Sequence, residues 1–335
     1  MPQLVFDLGG TFLRCGVAHD DGTVRPVVRT RIRNFLDGSP AAEVWRSIFS
    51  ELALFAKSVD DLLSPNDGVV LAFPGPIRDG RRIVGAPTVV GDADIPDVAE
   101  TLERLLRRPV RLINDVSAAA WHLAKSTPVD RFMVVTVSSG IGNKVFDRRH
   151  PLRVLDDASY GGEIGHCIVD RSIDAPRCDC GERGHLGAIA SGRGTLRLAR
   201  ARAVAHDDSF SRSLCVRQFG ASALTLTNED HLVPAIRMDD AWAISCMRDA
   251  MTPLADVIGS VTFACGIGKV CVIGGFPIGI GPQYIRCLND LLKPPGRMPS
   301  IGLPDGDFAE LADMHPEACL LGAAEFGRRL AFAHA

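Results

Sequence analysis

Twice along this chain an apolar run leads into a glycine turn and out into a second apolar run. Leu4-Val5-Phe6 and Leu13 to Ala18 read as strands joined by Asp7-Leu8-Gly9-Gly10-Thr11. Phe132 to Val137 and Lys144-Val145-Phe146 read the same way around Ser138-Ser139-Gly140-Ile141-Gly142. The first copy continues with a strand at Val27–Ile32. A helix follows, with Ser39 as its cap and Pro40 at its first position, then a buried strand at Val69–Ala72. Next come a helix capped by Asp97, a strand at Val110–Ile113 and the helical run SAAAWHLAK. In the second copy Val270 to Ile273 leads into Gly274-Gly275-Phe276-Pro277. The order predicts an α/β chain of two related modules with a cleft between them. The first module spans 1–117 and the second 118–317; a closing helix over 318–333 returns to the first. Residues 195–250 are expected to be a mostly helical insertion, and 335 residues suit two domains.

Bulk composition excludes several classes. With 46% hydrophobic and 23% charged residues the chain reads as an ordinary globular protein. A net charge of −3 gives no broad attraction to nucleic acid or to an anionic membrane. The start, MPQLVFDLGG, lacks a basic and then apolar leader, and no apolar run is long enough to cross a bilayer, so the cytoplasm is expected. The ten cysteines do not suggest a secreted disulfide scaffold; Cys15, Cys265, Cys271 and Cys319 sit in apolar runs and read as small buried hydrophobes.

Four short segments carry chemistry. His166, Cys178, Cys180 and His185 have the residue types and spacing of a tetrahedral zinc site, structural rather than catalytic because four ligands fill it. The bland alternative is four unconnected, reduced side chains. Glu163 would stand beside the cluster, free to grip a polar ligand. Asp7 to Thr11 is either a plain hairpin turn or a phosphate cradle, with Asp7 holding a water-bound Mg²⁺ and Thr11 adding a hydroxyl. Ser138-Ser139-Gly140 offers the same choice, and Gly274-Gly275 forms either an adenosine pocket or a strand-to-helix turn. Asn114-Asp115 follows a buried strand, where it can cap the next helix or present Asp115 as a general base, and one position permits both.

Taken in order, DLGGT at 7–11, FPGPI at 73–77, APT at 86–88, LINDVSAAAW at 112–121, SSGIG at 138–142, GEIGH at 162–166, CDCGERGH at 178–185, ASG at 190–192, VIGG at 272–275 and LLGAA at 320–324 form one pattern. The chain resembles the ROK family of sugar kinases and sugar-responsive repressors along nearly its whole length. The resemblance implies two ribonuclease-H-like modules of the actin/hexokinase type. It implies ATP held by the turns around Gly9, Gly10, Gly140 and Gly275, Asp115 as base, and a sugar site lined by Gly75, Asn114, Asp115, Glu163 and His166. It also implies zinc on His166, Cys178, Cys180 and His185, and a homodimer. Two positions depart from the family: His185 stands where a third zinc cysteine is usual, and Gly187 where a glutamate meets the anomeric end of a hexose.

The expected activity is therefore ATP- and Mg²⁺-dependent phosphorylation of a primary hydroxyl on a hexose-like ring. Loss of an acceptor at Gly187 points to a ring without an ordinary anomeric hydroxyl, such as a C7-cyclitol of secondary metabolism phosphorylated at its 7-hydroxyl. Glucose or kanosamine 6-phosphorylation is the alternative. A sugar-responsive repressor is the rival of another class, but the first glycine turn begins at Asp7 and leaves no room for a DNA-binding module ahead of it.

Overall fold

A computed structural model describes residues 2–34, 37–155, 158, 160–205, 208–293 and 308–330. The chain divides into two compact units, one of residues 1–128, 150–161 and 314–335, the other of 129–149 and 162–313.

In the first unit the strands are β1 (Gln3–Leu8), β2 (Phe12–Ala18), β3 (Val24–Arg31), β4 (Val69–Phe73) and β5 (Val110–Asn114), and the sheet order is β3-β2-β1-β4-β5. β1 to β3 form an antiparallel meander, while β4 and β5 run parallel to β1. Alternation along β1 sorts its side chains between two faces. Leu4, Phe6 and Leu8 join Val44, Ile48, Leu52 and Leu102 in the buried core under helices α1 (Ala41–Ser58) and α2 (Val98–Leu106). Gln3, Val5 and Asp7 face the other way. There Gln3 Nε2 donates to the Ala324 carbonyl at 2.8 Å, on the C-terminal helix. That helix, Ala318–Arg329, lies against α3 (Asp115–Leu123), with the Trp121 and Phe326 rings 6.0 Å apart and Lys125 3.2 Å from Glu325.

The second unit repeats the plan with one strand fewer among the described residues. Its strands are β6 (Arg131–Val137), β7 (Ile141–Asp147), β8 (Lys269–Ile273) and β9 (Ala309–Leu311), in the order β9-β8-β6-β7. β6 and β7 are antiparallel; β8 is parallel to both β6 and β9. The helices are α4 (Leu186–Ala190), α5 (Gly192–Val204), α6 (Ala241–Cys265), α7 (Gly275–Ile280) and α8 (Pro282–Leu292), with shorter turns of helix between α5 and α6. Residues 195–250 are thus mostly helical.

Three details differ from the sequence reading. Pro40 is the cap of α1 rather than its first residue, with φ −59° and ψ 140°, and its carbonyl accepts from Glu43 and Val44 at 2.9 and 3.1 Å. Proline's fixed φ suits the extended cap as well as the first turn. The unit boundary falls after Pro128 rather than after residue 117, because α3 packs on the C-terminal helix. That helix stops at Arg329, and 331–333 lie outside the described residues.

Candidate active site

β1, β4 and β5 run parallel, so their carboxyl ends finish at one edge of the first unit's sheet, the usual ligand edge of an open α/β sheet. At the end of β5, Asn114 is buried and uses both ends of its amide. Oδ1 accepts from the N–H groups of Val116 and Ser117 at 3.0 and 3.2 Å, capping α3. Nδ2 donates to the Gly75 carbonyl and to Asp115 Oδ1, each at 3.0 Å. The cap is thus formed, and it leaves the Asp115 carboxylate held by the same amide. Asp115 Oδ1 also accepts from Val116 N–H at 2.8 Å, and the residue is half-buried.

At the end of β1, Asp7 is 4% exposed. Burial pushes its carboxyl above the usual carboxylate range, and the adjacent Arg14 guanidinium pulls it back only in part. The following turn is closed by Gly9 N–H donating to the Phe12 carbonyl at 2.9 Å. Asn34 Nδ2 donates to the Gly10 carbonyl at 2.5 Å, and the Thr11 carbonyl accepts from Ile32 N–H at 3.0 Å. Gly9 and Gly10 are half-buried and Thr11 is exposed, so the turn stays open to a ligand. Under it lies Cys319. Burial pushes this thiol well above its usual range, the carboxylates of Asp7 and Asp115 push it further, and Arg14 pulls against them. The thiol is therefore protonated near neutral pH, although the residue is half-buried rather than sealed from solvent.

In the second unit the predicted turns converge. Gly274 has φ +107°, and a Cβ there would lie 2.2 Å from the Val137 carbonyl oxygen, so only glycine lets β8 end this close to β6. Gly274 is also the cap of α7, which begins at Gly275. The Ser138–Gly142 turn is closed by Ser138 N–H donating to the Gly140 carbonyl at 2.9 Å; Ser138 and Ser139 are exposed. The start of α5 joins it: Gly192 N–H donates to the Ser138 carbonyl at 3.0 Å, and Arg193 Nε to that of Ser139 at 2.8 Å.

The GEIGH segment lies beside the Cys/His cluster. Glu163 is half-buried and precedes the short 3₁₀ turn Ile164–His166, whose His166 N–H donates back to the Glu163 carbonyl at 2.9 Å. Donor atoms of His166, Cys178, Cys180 and His185 all lie within 4.8 Å of one another. His185 Nδ1 is 3.4 Å from His166 Nδ1 and 3.3 Å from Cys180 Sγ. Tetrahedral zinc with bonds of about 2.0–2.3 Å places neighbouring donors about 3.3–3.8 Å apart, so these two separations suit zinc, while a set spread over as much as 4.8 Å would have to draw in around the ion. Gly187 sits two residues beyond, and a Cβ there would lie 3.2 Å from the Gly165 carbonyl oxygen.

Comparison with known proteins now decides the family. The ROK family matches over residues 4–283. The chain belongs to the ROK family. It is 36% identical over 330 residues to a C(7)-cyclitol 7-kinase of Streptomyces hygroscopicus subsp. limoneus, spanning 95% of this chain and 92% of that one. Its fold is that of a ROK glucokinase from Streptomyces griseus solved with glucose and AMPPNP, at a TM-score of 0.67, 20% identity and coverage of 98% and 99%. It is also that of a ROK transcriptional regulator homologous to Escherichia coli MLC, at 0.75 and 19%, covering 98% of this chain and 78% of that one. Among ROK proteins the fold therefore serves kinases and regulators alike, and function has to be argued from the site. No helix among the described residues is long and apolar enough to cross a membrane.

Sequence reasoning missed the Asp7–Arg14 contact, although counting outward from the turn in hairpin register would have found it. It also missed that Lys144 is the one buried lysine among the described residues; nothing in the local pattern marks that.

Proposed function

We propose that this ROK protein is an ATP-dependent kinase of a primary hydroxyl on a C7-cyclitol. The observation that carries the reading is the held carboxylate at the end of β5, on a chain 36% identical along 95% of its length to a C(7)-cyclitol 7-kinase. Asn114 fixes Asp115 through a hydrogen bond at 3.0 Å while leaving it half-exposed, as a general base requires.

Asp115 accepts the proton of the attacking hydroxyl as its oxygen bonds to the γ-phosphorus. The Gly9–Thr11 and Ser138–Gly140 turns, through the amides of Gly10, Thr11, Ser139 and Gly140, hold the nucleotide together with Gly274 and Gly275. Asp7 would hold Mg²⁺ through water, and the ion would supply positive charge that offsets that of the phosphates. Gly75, Asn114, Glu163 and His166 orient the acceptor ring. His166, Cys178, Cys180 and His185 would hold zinc, which supplies a cross-link that stiffens the acceptor loop. An ATP-using enzyme of this kind works in the cytoplasm, and the family resemblance implies a homodimer.

Gly187 argues for the cyclitol. A glutamate at this place would give an anomeric hydroxyl its acceptor; glycine gives none, and sites built to bond a hydroxyl discriminate by large factors. The test is a rate comparison of valiolone-type C7-cyclitols, kanosamine and glucose, with the phosphate position found by mass and NMR analysis. A cyclitol preference of about 100-fold or more in kcat/KM is expected. A preference for glucose would replace the cyclitol reading with the glucokinase one. Phosphorylation at any position but the primary hydroxyl would overturn both.

A further inference from the structure

We propose that Arg14 is a further catalytic residue, one whose guanidinium binds the γ-phosphoryl oxygens as they are transferred. The proposal rests on the kinase reading above and concerns its donor side. Asp7 and Arg14 are cross-strand partners in the β1–β2 register, which places both side chains on the sheet face shared with α3 and the C-terminal helix. Arg14 Nη1 donates to Asp7 Oδ2 at 2.8 Å. The two side chains are 18% and 5% exposed, so Arg14 is mostly desolvated yet keeps some exposure, and its strand pair is next to Leu8 and Leu13, which flank the Gly9–Thr11 turn.

This contact leaves most of the group's bonding capacity unused. A guanidinium has five N–H donors in a planar fork matched to carboxylate and phosphate oxygens. Among the described residues Arg14 makes one such bond, and its Nε is buried with no acceptor. A desolvated donor without an acceptor is costly, so the site is incomplete as it stands. An anion with several acceptor oxygens suits the donors that remain, and the adjoining open turn is where phosphates would arrive. Two acids, Asp7 and Asp115, share this edge, and an incoming γ-phosphate would be repelled by both. Arg14 supplies the opposing charge.

In the step itself the acceptor oxygen forms its bond to the γ-phosphorus and gives its proton to Asp115. The bond from γ-phosphorus to the bridging oxygen breaks, and ADP leaves with that electron pair. Charge on the equatorial oxygens is what Arg14 offsets, and a preorganised donor of this kind is worth about 10²–10³ in kcat.

The test compares affinity for AMPPNP and for ADP, each with Mg²⁺ and no acceptor, by calorimetry on the wild-type chain and on Arg14→Gln and Arg14→Lys. Arg14→Gln should weaken AMPPNP about 10-fold or more and ADP by less than about twofold, since only the γ-phosphate loses a partner. Arg14→Lys keeps a cation beside Asp7, so it folds, and should fall between the two because the fork is lost. In both variants kcat should fall while the KM for the acceptor holds. Equal losses for AMPPNP and ADP, or none in Arg14→Lys, would overturn the proposal and leave Arg14 a structural partner of Asp7. A wild-type chain that binds AMPPNP but phosphorylates no acceptor would sink the kinase reading, while the two-nucleotide comparison would still decide Arg14.

Discussion

Asn114 shows how one amide can serve stability and chemistry together. Its oxygen caps α3 through two N–H groups, and its nitrogen ties Gly75 to Asp115 at 3.0 Å each. Aspartate is an equally good cap but donates nothing. Asn114→Asp should therefore keep the α3 cap but destabilise by about 1–3 kcal/mol at neutral pH, because the Gly75 carbonyl loses its donor and two carboxylates face each other, and it should loosen the base. A second carboxylate beside Asp115 raises the pH at which either loses its proton, and a general base works only when deprotonated. The acid limb of the pH–rate profile should accordingly move to higher pH, whereas Asp115→Ala should lower kcat on the order of 10²–10⁴-fold at every pH. Circular dichroism melts and kcat against pH separate the cases; an unshifted limb in Asn114→Asp would remove the clamp from the mechanism. Sequence alone showed the dipeptide and both its uses, since capping and strand-end position are local properties. It did not show Gly75 as the clamp's far end, because 39 residues separate the partners and only the parallel β4–β5 pairing joins them.

At the scale of elements, the loop from Cys167 to His185 has little regular structure to hold it. Its ladder contacts are the isolated bridges Ile168 to His185 and Arg177 to Arg183, and His185 leads straight into α4. Cys178, Cys180 and both histidines were legible because such residues are scarce and stand close together in the chain. The meeting of Ser138, Gly192 and Gly274 was legible only as separate turns, since their contacts span three distant segments. If the cluster binds zinc, removing it should free the loop and with it His166, while the turns after β6 and β8 keep their own backbone hydrogen bonds and lose at most the ion pair of Asp179 with Arg193. Chelation or Cys180→Ser should thus raise the KM for the acceptor about 10-fold or more and leave the KM for ATP within about twofold. Metal content by atomic absorption and the two KM values check this. Unchanged acceptor binding in protein shown to be free of zinc would deny the loop its role.

For the whole molecule, the two sheets share one strand order, except that among the described residues the second copy has no third meander strand. The strand–turn–strand repeat made the duplication readable. The C-terminal helix belongs to the first copy and closes it: Gln3 on the first strand bonds Ala324, and the helix presses on α3, whose first residue is Asp115. The press is tight, for a Cβ at Gly322 would lie 1.7 Å from the Ala118 carbonyl oxygen. In α6 of the second unit, a Cβ at Gly259 would meet nothing within 4 Å. The same change should then act with opposite sign in the two helices. Gly259→Ala removes a poor helix former from an open position and should stabilise by up to about 1 kcal/mol. Gly322→Ala must push the helix pair apart, destabilise by about 1–3 kcal/mol and move the start of α3. Because Asp115 rides on that start, kcat should fall in Gly322→Ala even at temperatures where the protein stays folded, and hold in Gly259→Ala. Thermal melts read beside kcat test this, and a Gly322→Ala enzyme with wild-type stability and rate would show that the packing of the chain's last helix has no hold on the base.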